Sequence, residues 1–149
     1  MPAGATPTRV VIDTNVLVSW FLSPAGNPAR VVGLAVSGAL VPCYDQRMLA
    51  EYREVLARPR FGIDPQAVNL TLLALRNRGL DVAAAPVGGA LVDESDRPFI
   101  EVAGTVGAWL VTGNMRHFEG RPMAVTPADF LRILPGLGVG ETGSLMYGF

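Results

Sequence analysis

The hydrophobic positions of this chain alternate between short apolar runs and longer amphipathic segments. Short apolar runs bounded by turn residues are typical of buried strands, whereas a spacing of three and four residues is typical of helices. The runs predict strands at 10–12, 39–44, 80–86, 108–112 and 123–125. The other segments predict helices at 15–22, 29–37, 45–57, 65–78, from about 96 to 106, and at 127–134. This alternation predicts an α/β fold, with helices on both faces of a mainly parallel sheet of about five short strands.

The length of 149 residues fits one folded domain, which we expect to span residues 1–134. The remaining segment, 135–149, is rich in glycine, and we expect a mobile or partner-dependent tail there. The amino terminus has neither the basic start nor the apolar stretch of a signal peptide. The longest apolar run, 31–42, is shorter than the roughly 20 residues that a membrane-spanning helix needs. We therefore expect a soluble, cytoplasmic protein.

The composition excludes several classes of chemistry. Half of the residues are hydrophobic and the formal net charge is −1, which favours a globular protein without a general affinity for polyanions. All 12 basic residues are arginines, so reactions that need a lysine are excluded. One cysteine and one histidine, Cys43 and His117, cannot form an intramolecular disulfide, a cysteine-rich zinc site or a two-histidine acid–base pair. Carboxylates remain as the candidate catalytic groups.

Polar side chains follow three of the predicted strands. Asp13 leaves the first strand, Asp96 lies on the exit from the third, and Asn114 leaves the fourth. In parallel α/β sheets, ligands bind beyond the carboxyl ends of the strands. We therefore expect these three side chains to converge at one edge of the sheet.

A fourth acid, Glu51, lies in the amphipathic helix 45–57. The apolar face of this helix centres on Tyr52, so Glu51 borders the core while Glu54 faces water. Carboxylates brought together in this way repel one another unless a cation lies between them. Oxygen ligands favour Mg²⁺ or Mn²⁺, and Mg²⁺ commonly binds phosphate oxygens as well. The pattern therefore predicts phosphodiester hydrolysis.

Four segments, in this order and spacing, resemble the motif blocks of the PIN domain, and in particular of bacterial VapC-like toxins. They are "VVIDTNVLVSWFLSP", "LAEYREVLARPRF", "DESDRPFIEVA" and "WLVTGNMRHF", and the resemblance covers about residues 9–134. It implies a three-layer α/β/α fold and a metal-dependent ribonuclease with catalytic acids at Asp13, Glu51 and Asp96. It further implies supporting polar residues at Asn15, Thr112 and Asn114, a homodimer, and a cognate antitoxin that occupies the active site.

The residue at position 114 departs from the family pattern, because many PIN domains carry Asp where this chain has Asn114. Asp93 or Glu94 would then partly substitute as acids at a second metal position. Asn114 also fits a turn residue. The alternative function is therefore a PIN domain whose metal site has decayed and which only binds protein or RNA.

Several of the candidate residues also have a purely structural interpretation. Asp13 and Asp96 suit helix amino termini, and Glu51 suits a surface ion pair with Arg47 or Arg58. His117 is interpreted as a packed or turn histidine. Arginines 116 and 121 follow the fourth strand and are the candidates for binding RNA phosphates.

Association is expected through apolar surface. The segments "VVGLAVSGALV" and "LMYGF" hold more apolar residues than a monomer of this size is expected to bury, which predicts a homodimer and an antitoxin-binding groove.

Overall fold

The computed structural model describes residues 7–137, and within them five strands form one parallel sheet. The strands are β1 (Arg9–Ile12), β2 (Val41–Tyr44), β3 (Leu80–Asp81), β4 (Trp109–Val111) and β5 (Ala124–Val125). Their spatial order is β3-β2-β1-β4-β5. The first strand is therefore central, with β2 on one side and β4 on the other.

Six α-helices lie in the same part of the chain, five between successive strands and one after β5. They are α1 (Thr14–Leu22), α2 (Asn27–Val36), α3 (Gln46–Leu56), α4 (Pro65–Arg78), α5 (Arg97–Val106) and α6 (Pro127–Ile133). Short 3₁₀ turns lie at Pro59–Phe61, Glu94–Asp96, Met115–Phe118 and Leu134–Leu137. The predicted three-layer α/β/α fold is confirmed.

The core lies where the apolar strands meet the helices. Val10, Val11 and Leu110 are completely buried, as expected for strands covered on both faces. Val31 and Val32 of α2 are also completely buried, because α2 packs against α1, α4 and α6. The expectation that this segment offers apolar surface for association is therefore wrong, since the fold of a single chain buries most of it.

Helix α3 shows how sequence, packing and site geometry are connected. Asp45 caps it by accepting a hydrogen bond of 3.0 Å from the Met48 backbone N–H. Its apolar side chains Met48, Leu49, Tyr52 and Leu56 are buried. The Tyr52 hydroxyl donates a 2.5 Å hydrogen bond to the backbone carbonyl of Ile12. Helix α3 is thereby attached to the carboxyl end of β1.

The third strand is much shorter than its predicted range of 80–86, because pairing with β2 ends at Asp81 and Val82. Beyond it, side chains of α5 bind the backbone instead of a neighbouring strand. The Ala85 N–H donates to Thr105 Oγ1 at 2.9 Å, and the Val87 N–H donates to Glu101 Oε2 at 3.0 Å. Proline at position 86 also lacks the N–H that a strand ladder needs.

Helix α4 meets β2 at a glycine that cannot be enlarged without movement. A Cβ added to Gly79 would lie 2.2 Å from the Pro42 carbonyl oxygen and 2.6 Å from that of Leu75. The close approach of two backbone segments, rather than an unusual φ, requires glycine here.

Two sequence predictions concern the chain ends and membrane association. Most of the predicted tail, 138–149, including "LMYGF", lies outside the described residues. Among residues 7–137, no helix is long and apolar enough to cross a membrane.

Candidate active site

Asp13 lies at the junction of β1 and α1 and is 5% exposed. Its Oδ1 accepts a hydrogen bond of 2.8 Å from the Thr14 N–H, so the carboxylate also caps α1. Its Oδ2 accepts hydrogen bonds from Thr112 Oγ1 at 2.7 Å and Asn15 Nδ2 at 3.1 Å. All these donors are neutral. Burial raises the pKa of Asp13 above its ordinary value, although the three hydrogen bonds oppose that effect.

Three polar residues were expected to support Asp13. Asn15 and Thr112 hydrogen-bond to Asp13, and Asn114 hydrogen-bonds to Thr112. Asn15 donates to Asp13 and, through its Oδ1, accepts the Gly113 N–H at 2.9 Å. Thr112 is completely buried and accepts the Asn114 N–H at 2.9 Å while donating to Asp13. These bonds attach the loop after β4 to the loop after β1. The Asn114 side chain itself makes no hydrogen bond to residues 7–137, so its backbone is the part that joins this network.

Asp96 is 8% exposed and ends the 3₁₀ turn that precedes α5. The expected position on the exit from the third strand is wrong, since β3 ends at Asp81 and lies at the edge of the sheet. Asp96 instead comes from the amino terminus of α5, which packs against β1. Burial, followed by the negative charge of Asp13, raises the pKa of Asp96 to about 6. The charge of Asp13 therefore acts on Asp96.

His117 contacts Asp96, although the sequence suggested only a packed or turn role. It lies in the 3₁₀ turn Met115–Phe118, is half-buried, and its Nδ1 is 2.9 Å from Asp96 Oδ2. One donor atom from each of Asp93, Asp96 and His117 lies within 4.8 Å of the other two. The turn itself was recognisable from the sequence, but nothing in the pattern pointed to an acid 21 residues earlier as its partner.

Asp93 is exposed and lies just outside the buried acids. One of its oxygens, Oδ1, accepts hydrogen bonds from the Ser95 N–H at 2.9 Å and the Ser95 hydroxyl at 2.8 Å. These bonds lower the pKa of Asp93. The Glu94 carboxylate pairs with Arg97 at 2.7 Å and is the less available of the two substitutes considered for a metal site.

Glu51 is half-buried and its Oε2 accepts a hydrogen bond of 2.6 Å from Thr14 Oγ1. Thr14 directly follows Asp13, so Glu51 borders the site from α3. The surface ion pairs considered for it do not form. Arg47 binds Asp45 and Glu101, while Arg58 binds Glu54. The group of mutually close donors contains Asp93, Asp96 and His117 but neither Asp13 nor Glu51.

The loop that carries Asp93 is fixed by two residues that sequence reasoning missed. Arg97 donates to the backbone oxygens of Val87 at 2.6 Å and Gly89 at 2.7 Å. Glu101, 5% exposed, accepts the Val87 N–H and pairs with Arg47 at 2.8 Å. An acid inside the otherwise apolar run "FIEVA" was the available sign that Glu101 has a buried partner.

The donor set fits a divalent cation. Among the described residues, neither Asp13 nor Glu51 pairs with an arginine, and Asp96 pairs only with His117. Buried carboxylates with raised pKa values lack a compensating positive charge. Carboxylate oxygens suit Mg²⁺ and Mn²⁺, and an imidazole nitrogen suits transition metals. A divalent ion would supply the missing charge.

A groove lies along the turn Met115–Phe118 and the residues that follow it. It has a volume of about 510 Å³ and is lined in part by Met115, Arg116, Phe118 and Arg121. Arg116 is exposed and Arg121 half-buried, so both predicted phosphate-binding candidates lie at this groove. Arg116 and Phe118 flank His117 in sequence, but the lining includes neither His117 nor the acids at 13, 51, 93 and 96.

Comparison with known proteins identifies the family. No curated protein matches the chain significantly. A sequence model of the PIN domain matches residues 9–116, which include β1, the acids at 13, 51 and 96, and the end of β4. PIN domains are generally metal-dependent nucleases that act on RNA. By this match over most of its length, and with the fold and acidic cluster described above, the chain belongs to the PIN domain family.

Proposed function

We propose that this PIN domain is a metal-dependent endoribonuclease and the toxin of a toxin–antitoxin pair. One observation carries the catalytic part of the proposal. Asp13 and Asp96 are both buried, and burial, followed by the charge of Asp13, raises the pKa of Asp96 to about 6. Among residues 7–137 neither acid pairs with an arginine, and two such acids, one at the carboxyl end of β1 and one at the amino terminus of α5, suit a divalent ion.

The proposed roles follow the positions of the side chains. Asp13, Glu51 and Asp96 hold Mg²⁺ or Mn²⁺, while Asn15 and Thr112 orient the Asp13 carboxylate through their hydrogen bonds. Asn114 closes the β4 loop beside them through its bond to Thr112. When bound, the ion polarises the scissile phosphate and lowers the pKa of the attacking water. No protein side chain acts as nucleophile.

RNA binding is assigned to the groove beside His117. Arg116 and Arg121 line it, and guanidinium groups bind phosphate oxygens in a fixed geometry. The neighbouring Met115 is 37% exposed and offers apolar surface to a base. With a net charge of −1, the chain must bind its polyanion locally, and the lining of this groove carries two positive charges, Arg116 and Arg121, and one negative charge, Glu119.

Protein partners are assigned to a different face. Leu70 and Leu73 of α4 are 63% and 50% exposed, and with Val36 of α2 they line a second groove of about 390 Å³. Exposed leucines side by side favour association. We propose that a second copy of the chain and a cognate antitoxin use such apolar surface, and that the protein acts in the cytoplasm.

A binding module without catalysis is the competing function, and Asn114 is its basis. Where many PIN domains carry a charged Asp, this chain offers only an amide. The experiment that separates the two is induced expression followed by sequencing of cellular RNA ends, with Asp13→Asn as control. A toxin nuclease arrests growth and produces new RNA ends at defined positions, and the variant does neither. Normal growth and unchanged RNA ends with the unsubstituted chain would reject the toxin assignment.

A further inference from the structure

We propose that His117 is a metal ligand and that, with Asp93 and Asp96, it forms a mixed nitrogen and oxygen position selective for Mn²⁺ over Mg²⁺. This inference rests on the proposed metal-dependent function and specifies its metal. Two of the three side chains, Asp93 and His117, lie outside the set Asp13, Glu51 and Asp96, and Asp96 belongs to both.

The distances suit a shared ion. His117 Nδ1 and Asp96 Oδ2 are 2.9 Å apart. Neighbouring ligands of an octahedral ion bound at about 2.1 Å are separated by about 3.0 Å, since they subtend a right angle. An Asp93 oxygen completes a group in which all three donor atoms lie within 4.8 Å of one another. An ion can therefore replace the hydrogen bond between His117 and Asp96 with little movement of either side chain.

The local fold holds the imidazole at this position. His117 donates its backbone N–H to the Asn114 carbonyl at 3.1 Å, which closes the 3₁₀ turn. The next residue, Phe118, is 1% exposed and fixes the turn to the core. From the other side, Ser95 holds Asp93 Oδ1 and leaves its Oδ2 free of hydrogen bonds to residues 7–137.

The type of donor atom determines which metal ion the site binds more tightly. Mg²⁺ prefers oxygen ligands, whereas an imidazole nitrogen also suits first-row transition metals. Asn114, just before the turn Met115–Phe118, adds no charge here. Within that turn, His117 is the side chain that hydrogen-bonds to Asp96. A site that exchanges an acid for an imidazole has one negative charge fewer and one softer donor. The lost charge weakens the binding of both divalent ions, whereas the softer donor favours Mn²⁺ relative to Mg²⁺.

A simpler role predicts different measurements. If His117 only orients Asp96 through a hydrogen bond, it is a positioning residue, and its loss weakens both metals equally. If it is a ligand, a nitrogen atom is bonded directly to the metal. Because His117 is the only histidine in the chain, a spectroscopic imidazole signal from tag-free protein has a single possible source.

The experiment is electron spin echo envelope modulation of the tag-free, full-length protein loaded with one equivalent of Mn²⁺. We expect ¹⁴N coupling from a directly bound imidazole, and its loss in His117→Gln. In calorimetric titrations, His117→Gln should weaken Mn²⁺ binding about tenfold or more and Mg²⁺ binding less than threefold. As the matched control, Asp96→Asn should weaken binding of both metals.

Two results would overturn the inference. Stoichiometric Mn²⁺ binding without ¹⁴N coupling excludes His117 as a ligand, and it does so on the unsubstituted protein, whatever the stability of the variants. Equal weakening of both metals in His117→Gln assigns it a positioning role. In either case RNA cleavage that still depends on metal and on Asp13 leaves the proposed function standing. A protein that binds no metal and cleaves no RNA rejects both proposals.

Discussion

Thr112 donates a 2.7 Å hydrogen bond to Asp13 and so joins two strand ends that lie 99 residues apart in sequence. Parallel pairing of β1 with β4, with Ile12 opposite Val111, places the two residues side by side. Among the hydrogen bonds that lower the pKa of Asp13 against the effect of burial, the one from Thr112 is the strongest. Thr112 thus fixes the orientation of Asp13 and favours its charged form.

Thr112→Val is predicted to weaken metal binding and to lower stability. The change keeps the side-chain shape but removes a buried donor to Asp13 and the acceptor of the Asn114 N–H. Leaving such groups unpaired costs about 1 to 3 kcal/mol. Urea unfolding and Mg²⁺ titration measure the two effects. Thr112→Ser, which keeps the hydroxyl, should behave like the original protein, and equal losses in both variants would argue against the hydrogen bond as the cause.

Asp96→Asn is predicted to stabilise the metal-free protein at neutral pH. The folded pKa of Asp96 is raised from 3.8 to about 6, so its contribution to stability is complete below pH 3.8 and is lost as the pH rises through 6. The asparagine of the variant cannot ionise, so the variant does not lose this stability as the pH rises. It should gain about 1 to 3 kcal/mol over the original protein between pH 4 and pH 7, as measured by unfolding in EDTA. A gain that does not change with pH would show that the charge is not responsible.

The sequence predicted the sheet and helices well because buried strands and amphipathic helices leave strong local patterns. The range 65–78 coincides with α4, and the predicted helix 45–57 corresponds to α3 with its cap Asp45. The predicted strand at 80–86 is largely absent because Thr105 and Glu101 bind its backbone, and these bonds cross 20 and 14 residues. Local patterns contain no information about such partners.

The candidate site shows the same limit. Asp13 could be singled out from the sequence because a carboxylate inside an apolar run loses solvation and therefore needs a partner. Asp96 was expected on the exit from the third strand, whereas it lies at the amino terminus of α5. His117 was interpreted as a packed or turn histidine because its contact with Asp96 depends on how two loops meet in space. The match in order and spacing of four motif blocks, rather than periodicity, selected Glu51.

Gly79→Ala is predicted to destabilise the protein by about 1 to 3 kcal/mol, because the new Cβ would lie 2.2 Å from a carbonyl oxygen. The matched control is Gly104→Ala within α5, where a Cβ meets nothing within 4 Å. That change should be neutral or stabilise by up to about 1 kcal/mol, since alanine favours helix. Thermal unfolding measures both. A stable Gly79→Ala protein would contradict the close packing of α4 on β2.

Asn114→Asp is predicted to lower the Mg²⁺ concentration needed for half-maximal cleavage by about tenfold or more. A unit charge about 4 Å from another contributes roughly 1 to 4 kcal/mol, part of which the repulsion among the acids removes. The measurement is a Mg²⁺ titration of the cleavage rate for both proteins. An unchanged midpoint would show that the Asn114 side chain serves the turn and not the metal.

The most direct measurement is cleavage of a labelled RNA by purified protein in Mg²⁺, in Mn²⁺ and in EDTA, with Asp13→Asn and Asp96→Asn in parallel. We predict internal cleavage by the original protein with either metal, none in EDTA, and a rate at least about a hundredfold lower in both variants, with unchanged circular dichroism. Absence of cleavage with either metal, or variants that cleave at nearly the original rate, would contradict a metal-dependent nuclease built on Asp13 and Asp96.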